Sequence, residues 1–212
     1  AEGELTLATN RGAHSTGYQT TASGEYSSTQ GSRTYAFGNN SHAEGNDNLA
    51  YGGSSHAEGS NTTASGEGSH AEGQYTRALG NFSHAEGYDT LTRFETYSYA
   101  HAEGWQTTAS GQASHAEGYQ TLSIGTYSHA EGYQTIANGT AHAEGYYTIA
   151  LQDGSHSEGY YTTASGQGSH AEGYYTEASG AYSHAEGNNT IAKANYQTVV
   201  GEYNVTSSTQ GA

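Results

Sequence analysis

The sequence predicts an all-β protein, a parallel β-solenoid built from coils of 14 residues. A five-residue pattern, most often Ser-His-Ala-Glu-Gly, recurs along the chain. Its last glycine returns every 14 residues, apart from one interval of 17 and one of 13. A fixed repeat period is typical of stacked coils. Within each unit, small and larger residues alternate with a period of two, which is the period of an extended strand.

One unit, residues 114–127, illustrates the predicted coil: five residues, a two-residue turn, five residues and a second two-residue turn. In the first run, small residues share one side of the strand, whereas His115 and Glu117 share the other. In the second run, Thr121 begins another series of small residues. We expect the two small sides to face each other in a thin core. Two glycines per unit and many Thr and Ser residues argue against helices.

The repeat extends over nearly the whole chain, and it predicts a β-roll of about fifteen coils over residues 1–201, followed by a cap or linker over 202–212. The repeating glycines are Gly3, Gly17, Gly31, Gly45, Gly59, Gly73, Gly87, Gly104, Gly118, Gly132, Gly145, Gly159, Gly173, Gly187 and Gly201. The chain opens in the middle of a repeat, so we expect it to be a fragment, with any targeting or downstream domain outside it.

Composition limits the possible functions. The net charge is -16, and five Lys and Arg residues are too few to bind nucleic acid or an anionic membrane. Cysteine is absent, which excludes disulfides and thiolate metal sites, and no apolar run approaches membrane-spanning length. Val, Ile, Leu and Phe make up only 17 of 212 residues, a share typical of disordered chains, but disorder would not preserve a period. Because so little apolar area is available, we expect other copies of the chain to supply stability.

Histidine and glutamate alternate on the outward side of the first strand, and we predict that they form a polar ladder at an interface between chains, which the family resemblance described below implies to be a trimer axis. The ladder comprises His42, Glu44, His56, Glu58, His70, Glu72, His84, Glu86, His101, Glu103, His115, Glu117, His129, Glu131, His142, Glu144, His156, Glu158, His170, Glu172, His184 and Glu186. Stacked Glu residues repel each other, and a neighbouring His that donates a hydrogen bond offsets this repulsion. The pair is lost as a unit at Ser28 and Gln30, and again at Thr198 and Val200.

Three interpretations of this ladder compete. The first interpretation is a structural network buried between subunits, and the second is a solvated polar face. The third is a metal site in which three His from three chains surround an axis. Metal ions at every coil would lie only about 5 Å apart, so one occupied ring is more credible than a metal ion at every coil. A catalytic role is disfavoured because equivalent pairs form no unique pocket. We therefore expect no cofactor and no enzymatic activity.

The candidate receptor contacts lie near the second strand, in the turn that precedes it and in a loop of the longest coil. Alternate residues of the second strand are themselves expected to face outward, as at Arg77, Leu79, Ile149 and Leu151. The residue after the repeating glycine is often aromatic, and the 17-residue coil adds a loop, where recognition sites are common. The candidates are Tyr88, Arg93, Phe94, Tyr97, Trp105, Tyr119, Tyr133, Tyr146, Tyr160 and Tyr174. Exposed aromatic rings suit contact with sugars or proteins. Stacking of the rings that only stiffens the coils is equally consistent with their spacing. The loop is equally consistent with an insertion that has no role.

The pattern Ser-x-Ala-x-Gly, two turn residues and Thr-x-Ala-x-Gly resembles the head repeat of trimeric autotransporter adhesins, the YadA-like heads, which also occurs in bacteriophage tail fibres. The resemblance covers residues 1–201. It implies a left-handed parallel β-roll, three of which pack as a homotrimer. In that family the two x positions of the first run are usually apolar and face the trimer interior. His and Glu stand there in this chain, which implies a hydrogen-bonded interior. Residues 197–204 resemble the stretch before a self-cleaving chaperone domain in some phage fibres.

The resemblance implies a non-enzymatic, extracellular fibre segment. The leading hypothesis is a phage tail fibre or receptor-binding protein, on the virion tail, that recognises a host-surface glycan or protein. A bacterial surface adhesin head is the first alternative. A repetitive-surface binder such as an ice-binding solenoid, and a rod stabilised by a His-ring metal, are alternatives of another class. We expect neither binding to nucleic acid nor insertion of this segment into a membrane.

Overall fold

A computed structural model of the chain describes residues 1–93 and 98–204, and among these residues it contains strands and turns but no helix. Hence none of the described residues forms a helix that could cross a membrane. The chain divides into two compact units, Ala1–Gly118 and Tyr119–Ala212. Within each unit, coils of about 14 residues contribute long strands to one parallel sheet and short strands to another. The predicted all-β parallel solenoid is confirmed.

In the first unit, each sheet follows chain order. The long strands are β1 (Glu2–Glu4), β3 (His14–Tyr18), β5 (Ser28–Ser32), β7 (His42–Asn46), β9 (His56–Ser60), β11 (His70–Gln74), β13 (His84–Tyr88), β15 (His101–Trp105) and all but the last residue of β17 (His115–Tyr119). The short strands are β2 (Leu7–Ala8), β4 (Thr21–Ala22), β6 (Tyr35–Ala36), β8 (Leu49–Ala50), β10 (Thr63–Ala64), β12 (Arg77–Ala78), β14 (Leu91–Thr92) and β16 (Thr108–Ala109). Like residues pair in register: His70 lies beside His84, and Glu72 beside Glu86.

The second unit repeats this arrangement. Its long strands are β19 (His129–Tyr133), β21 (His142–Tyr146), β23 (His156–Tyr160), β25 (His170–Tyr174), β27 (His184–Asn188) and β29 (Thr198–Glu202). Its short strands are β18 (Leu122–Ser123), β20 (Ile136–Ala137), β22 (Ile149–Ala150), β24 (Thr163–Ala164), β26 (Glu177–Ala178) and β28 (Ile191–Ala192). Here too like residues lie side by side over most coils, with His142 beside His156 and Ile136 beside Ile149.

Small side chains fill the space between the two sheets of each unit. Ala71 and Ala78 in the first unit, and Ala171 and Ala178 in the second, have no exposed surface. The threonine that precedes most of the short strands is also buried, as at Thr76. The predicted core of Ser, Ala and Thr is therefore present. Because hydrophobic stabilisation scales with buried apolar area, an alanine core contributes little per coil, and the backbone ladders contribute correspondingly more.

The second run of each coil differs from the prediction of a five-residue strand, since only two residues pair, as in Thr63–Ala64. The reason is a four-residue turn. The Ser69 amide and hydroxyl both donate to the Gly66 carbonyl, at 3.2 and 2.8 Å, so the end of the run belongs to the turn. For the same reason the long strand begins one residue later than predicted, at His70, and extends one residue beyond the glycine.

Two asparagines substitute for backbone groups in these ladders. Among the described residues, Asn48 is the largest fully buried side chain. Its amide donates to the Glu44 and Gly59 carbonyls and accepts from the Thr62 N–H at 2.9 Å. Asn204, at the corresponding place in the last coil, bonds both the N–H and the carbonyl of Ile191. Asn48 thus joins adjacent coils through the core, and Asn204 caps the edge of β28.

Candidate functional site

The His ladder of the first unit is a column of stacked imidazole rings on the outward face of the long-strand sheet. The centroids of His56 and His70, of His70 and His84, and of His84 and His101 are each 4.8 Å apart, with the rings within 12° of parallel. His42 begins the column with a more tilted ring, 5.0 Å from His56. The in-register parallel pairing of the strands produces this spacing, because each strand lies about 4.8 Å from the next.

The second unit contains a similar column. His129, His142, His156 and His170 stack at 4.7–4.8 Å, and His184 ends the column with its ring turned edge-on. The predicted grouping of histidines on one face is therefore present within each unit. Whether three chains bury this face stays a prediction, because it concerns contacts between chains.

Each ladder histidine is paired with the glutamate two residues later on its own strand. The Nε2 to Oε2 distances run from 3.3 Å at His42 and Glu44 to 3.6 Å at His142 and Glu144. The side chains of His70 and Glu72 are 36% and 45% exposed, so in a single chain the pair is half-buried. Where Ser28 and Gln30 replace the pair, the first ladder histidine still has a partner: the Ser28 hydroxyl lies 2.6 Å from Nδ1 of His42. Each unit thus presents a half-dehydrated polar face.

Burial, and then the neighbouring imidazoles, lower the pKa of three ladder histidines. The pKa values of His56, His142 and His170 lie below the ordinary histidine value, first because burial disfavours the charged form and next because a neighbouring imidazolium would repel it. The glutamate partner acts in the opposite direction but contributes less. A neutral imidazole stacks without repulsion on the next one, so the ladder is electrostatically suited to neutral pH.

We expect acidification to destabilise the solenoid before its carboxylates titrate. A histidine in the unfolded chain has a pKa of about 6.5, so a lowered pKa in the folded state means that the unfolded chain binds more protons. Stability then rises with pH: the contribution is complete above about pH 6.5 and is lost as the pH falls through the lowered pKa values. Circular dichroism melts should show a falling midpoint between about pH 6.5 and about pH 5.

Replacing His56, His142 and His170 together by glutamine is the control for this pH dependence, because it removes the three affected groups. The triple variant should show a smaller fall in the midpoint than the parent over the same pH interval. A midpoint that stays level or rises on acidification of the parent would contradict the assignment of neutral, stacked histidines.

A metal site is not assembled by the ladder of one chain. Among residues 1–93 and 98–204, no three His, Asp or Glu side chains form a group that could hold a metal ion. Parallel rings 4.8 Å apart present their nitrogens side by side, whereas Zn²⁺ needs ligand nitrogens converging at about 2.0–2.1 Å. A metal would require side chains from several chains, so the ring remains an alternative hypothesis.

The aromatic residues after the repeating glycines form a second column. In the second unit Tyr119, Tyr133, Tyr146, Tyr160 and Tyr174 stack at 4.7–5.1 Å, nearly parallel. In the first unit Tyr88 and Trp105 stack at 4.0 Å. Neighbours cover the ring faces inside such a column, so edges and hydroxyls are left for a partner. The geometry favours the stiffening role that the sequence left open, and receptor contact by these rings stays a prediction.

A further aromatic column was missed from the sequence. Tyr147, Tyr161 and Tyr175 occupy the turn and stack at 4.7 and 5.0 Å. They meet the first column edge-on, as Tyr146 meets Tyr147 at 82°. The signal was present, since these tyrosines also recur at 14-residue intervals, but the prediction used only the first position of the turn.

Shallow grooves run between the turn residues and the outward side chains of the short strands. In the first unit a groove of about 430 Å³ is lined by Asn61, Tyr75, Arg77, Tyr88, Asp89 and Gln106. In the second unit a groove of about 390 Å³ is lined by Gln134, Ile136, Tyr147, Ile149, Tyr161 and Thr163. Arg77 and Leu151 are exposed, as expected for outward positions, and Leu79 and Ile149 are partly exposed. The grooves themselves were not predicted. Each is nevertheless lined by short-strand residues whose outward orientation was predicted.

The loop candidates divide between described and undescribed residues. Arg93 follows β14, is exposed, and donates its backbone N–H to the Ala109 carbonyl at 3.1 Å. Phe94 and Tyr97 lie outside the described residues. A recognition role for this loop therefore stays a prediction.

Comparison with known families agrees with the repeat. The family model described as YadA head domain repeat (2 copies) matches residues 30–55, 57–83, 102–128 and 116–141. Each stretch spans about two coils. No curated protein matches the chain. Together with the parallel solenoid, the family match confirms the resemblance to YadA-like head repeats.

Proposed function

We propose that this chain, which contains YadA head domain repeats in a parallel β-solenoid, is a non-enzymatic segment of an extracellular trimeric fibre that presents a receptor-binding surface. The observation that carries the proposal is the His/Glu face, a periodic and half-buried polar surface covering successive coils within each unit. A face of this kind suits repeated contact with identical copies more than a reaction, because it has many equivalent positions and no unique centre.

Three properties support trimer formation through the His/Glu face. The alanine core of each coil buries little apolar area, which favours additional stabilisation by other chains. The ladder side chains are already partly dehydrated, as the 36% exposure of His156 indicates, which lowers the cost of burying them further. The resemblance supplies the geometry, since the corresponding positions of YadA-like heads face the trimer interior.

Burial of this face requires its hydrogen-bonding groups to be satisfied. An imidazole carries one N–H donor and one acceptor nitrogen when neutral, whereas an ionised carboxylate accepts only. Pairs such as His70 and Glu72 recur in the coils from His42 to Glu186, and they therefore provide matched donors and acceptors for contacts within and between chains. An apolar trimer interior would need neither group, so the pairing explains why this chain departs from the apolar family pattern.

The finer assignment is a phage tail fibre or receptor-binding protein on the virion tail, and a bacterial adhesin head is the alternative. Ser-His-Ala-Glu-Gly repeats and the terminal stretch at residues 197–204 support the phage assignment by resemblance. Both assignments place the chain outside the cell and give it a host-surface glycan or protein as partner.

Native mass spectrometry combined with adsorption to whole cells tests this proposal. We expect a species of about 66 kDa, three times the 22.1 kDa chain, and saturable adsorption of the labelled trimer to a subset of a panel of bacterial and animal cells. Heat-denatured protein is the control. A 22.1 kDa monomer, or the absence of adsorption to any cell, would overturn the proposal.

A further inference from the structure

The environment of Arg77 differs from those of Arg11 and Arg33, two other cationic residues of the first unit. Arg33 bonds the carboxylate of Asp47 through two nitrogens, and Arg11 lies over the ring of Tyr26, 5.6 Å from its centroid. Arg77 is exposed on the outward side of β12, and in the described part of the chain it has no carboxylate within ion-pair distance. In a chain of net charge -16, a guanidinium without a carboxylate partner is a candidate binding group.

The groove around Arg77 contains groups that suit a sugar. Asn61 and Gln106 provide amides, and Asp89 provides a carboxylate that lies 3.5 Å from the Gln106 amide nitrogen. Tyr75 is an aromatic ring outside any stacked column. Its counterparts in the adjacent coils are Asn61 and Asp89, and it meets Tyr88 edge-on, at 85° and 5.7 Å. It is 45% exposed. In contrast, the turn tyrosines of the second unit stack face to face.

A second guanidinium lies on the same face of the short-strand sheet. Arg77 pairs with Leu91 of β14, and Arg93 is two residues beyond Leu91 on the same side of the strand. Two of the five Lys and Arg residues are thus on adjacent coils of one outward face. Arg77 lies on the short-strand sheet, and most of the other lining residues lie in the turns, whereas the His/Glu face belongs to the long-strand sheet. The inference requires that a trimer formed through the ladder leaves this groove accessible.

We propose that the groove lined by Asn61, Tyr75, Arg77, Asp89 and Gln106 binds a carboxylate-bearing saccharide, a sialic or uronic acid type of glycan. The Arg77 guanidinium matches the planar carboxylate with two parallel hydrogen bonds. The Tyr75 ring packs against the apolar C–H face of the sugar, and the amides and Asp89 bond its hydroxyls. This inference rests on the proposed receptor-binding function and names its ligand class and site.

A glycan array and three variants of the full chain test this site. The array presents sialylated and uronate-containing glycans beside the same backbones without the carboxylate. We expect the parent to prefer the carboxylated member of each bound pair by at least about tenfold, and Arg77→Gln to reduce that binding by about 10–100-fold, since hydrogen bonds to charged groups are among the strongest. Arg77→Lys should recover only part of it, because lysine has no planar fork.

Arg33→Gln is the matched control, because Arg33 is already bound by Asp47; it should keep binding within about twofold of the parent. Equal binding of carboxylated and neutral glycans, no binding to any carboxylated glycan, or full binding by Arg77→Gln would each overturn the inference. None of these results would contradict the separate proposal that the chain forms a trimer that adsorbs to cells. Loss of the trimer or of adsorption by the parent would instead overturn the proposed function itself.

Discussion

Gly73→Ala is expected to lower the free energy of unfolding by about 2–6 kcal/mol, combining backbone strain with overpacking. Gly73 has φ of +110°, a conformation that side-chain-bearing residues rarely adopt, and a Cβ there would overlap the carbonyl oxygen of Gly87 on the next coil. That oxygen belongs to the ladder backbone and cannot move without breaking the pairing of β11 with β13. Urea unfolding followed by circular dichroism measures the loss.

Alanine variants of two other glycines distinguish the cost of backbone strain from the cost of steric overlap. Gly201 has a similar φ of +122°, but a Cβ there meets nothing within 4 Å, so Gly201→Ala should cost only the strain, about 1–3 kcal/mol. Gly53→Ala, whose nearest contact would be the Asn39 oxygen at 3.9 Å, should stay within about 0.5 kcal/mol of the parent. If Gly73→Ala were no more harmful than Gly201→Ala, close stacking of the glycines would not be what requires them.

Glu72→Ala is expected to destabilise the protein by about 3–5 kcal/mol, whereas the double variant His70→Val with Glu72→Ile is expected to keep the fold. Glu72 lies 3.3 Å from Nε2 of His70, and in a trimer three such pairs surround the axis at each coil. Removing one partner of a buried pair leaves a polar group without compensation, while replacing both by apolar residues is neutral or stabilising by about 1–4 kcal/mol. The measurement is urea unfolding at fixed protein concentration, with native mass spectrometry to verify the trimer.

His14→Val is the matched control for the ladder variants. His14 is exposed, and the position two residues later is Thr16 instead of glutamate, so its loss should change stability by no more than about 0.5 kcal/mol. A harmless Glu72→Ala would show that His and Glu do not act as a pair. A double variant that failed to assemble would show that the trimer requires the His/Glu pair and does not accept an apolar replacement.

The fold could be predicted because its main determinants are periodic. The recurrence of glycine set the coil length, and the alternation of small and polar residues set which side is buried, as at Ala71 between His70 and Glu72. The short second strand could not be predicted in this way. Alternation continues through a turn, and only the hydrogen bonds of Ser69 to Gly66 show where pairing ends.

The candidate surfaces were predicted less completely, because sequence spacing gives the position of a ring but not its orientation. Tyr133 and Tyr146 recur at the right interval for a sugar platform, yet their faces cover each other. Arg77 was recognised only as an outward residue, since its groove depends on Asn61 and Gln106 from other coils. Its lack of a carboxylate partner among the described residues is visible only in three dimensions.

Histidine footprinting tests the central claim, that several chains bury the His/Glu face. Carbethoxylation with diethyl pyrocarbonate, read residue by residue by mass spectrometry, reports how accessible each imidazole is, and the same protein in denaturant gives the reference rate. In a trimer packed through this face, we predict that ladder residues such as His70 and His156 react at least about tenfold more slowly than in denaturant. A buried imidazole reacts only when local opening exposes it to the reagent. Rates equal to those of the denatured chain at His70 and His156 would contradict burial of this face.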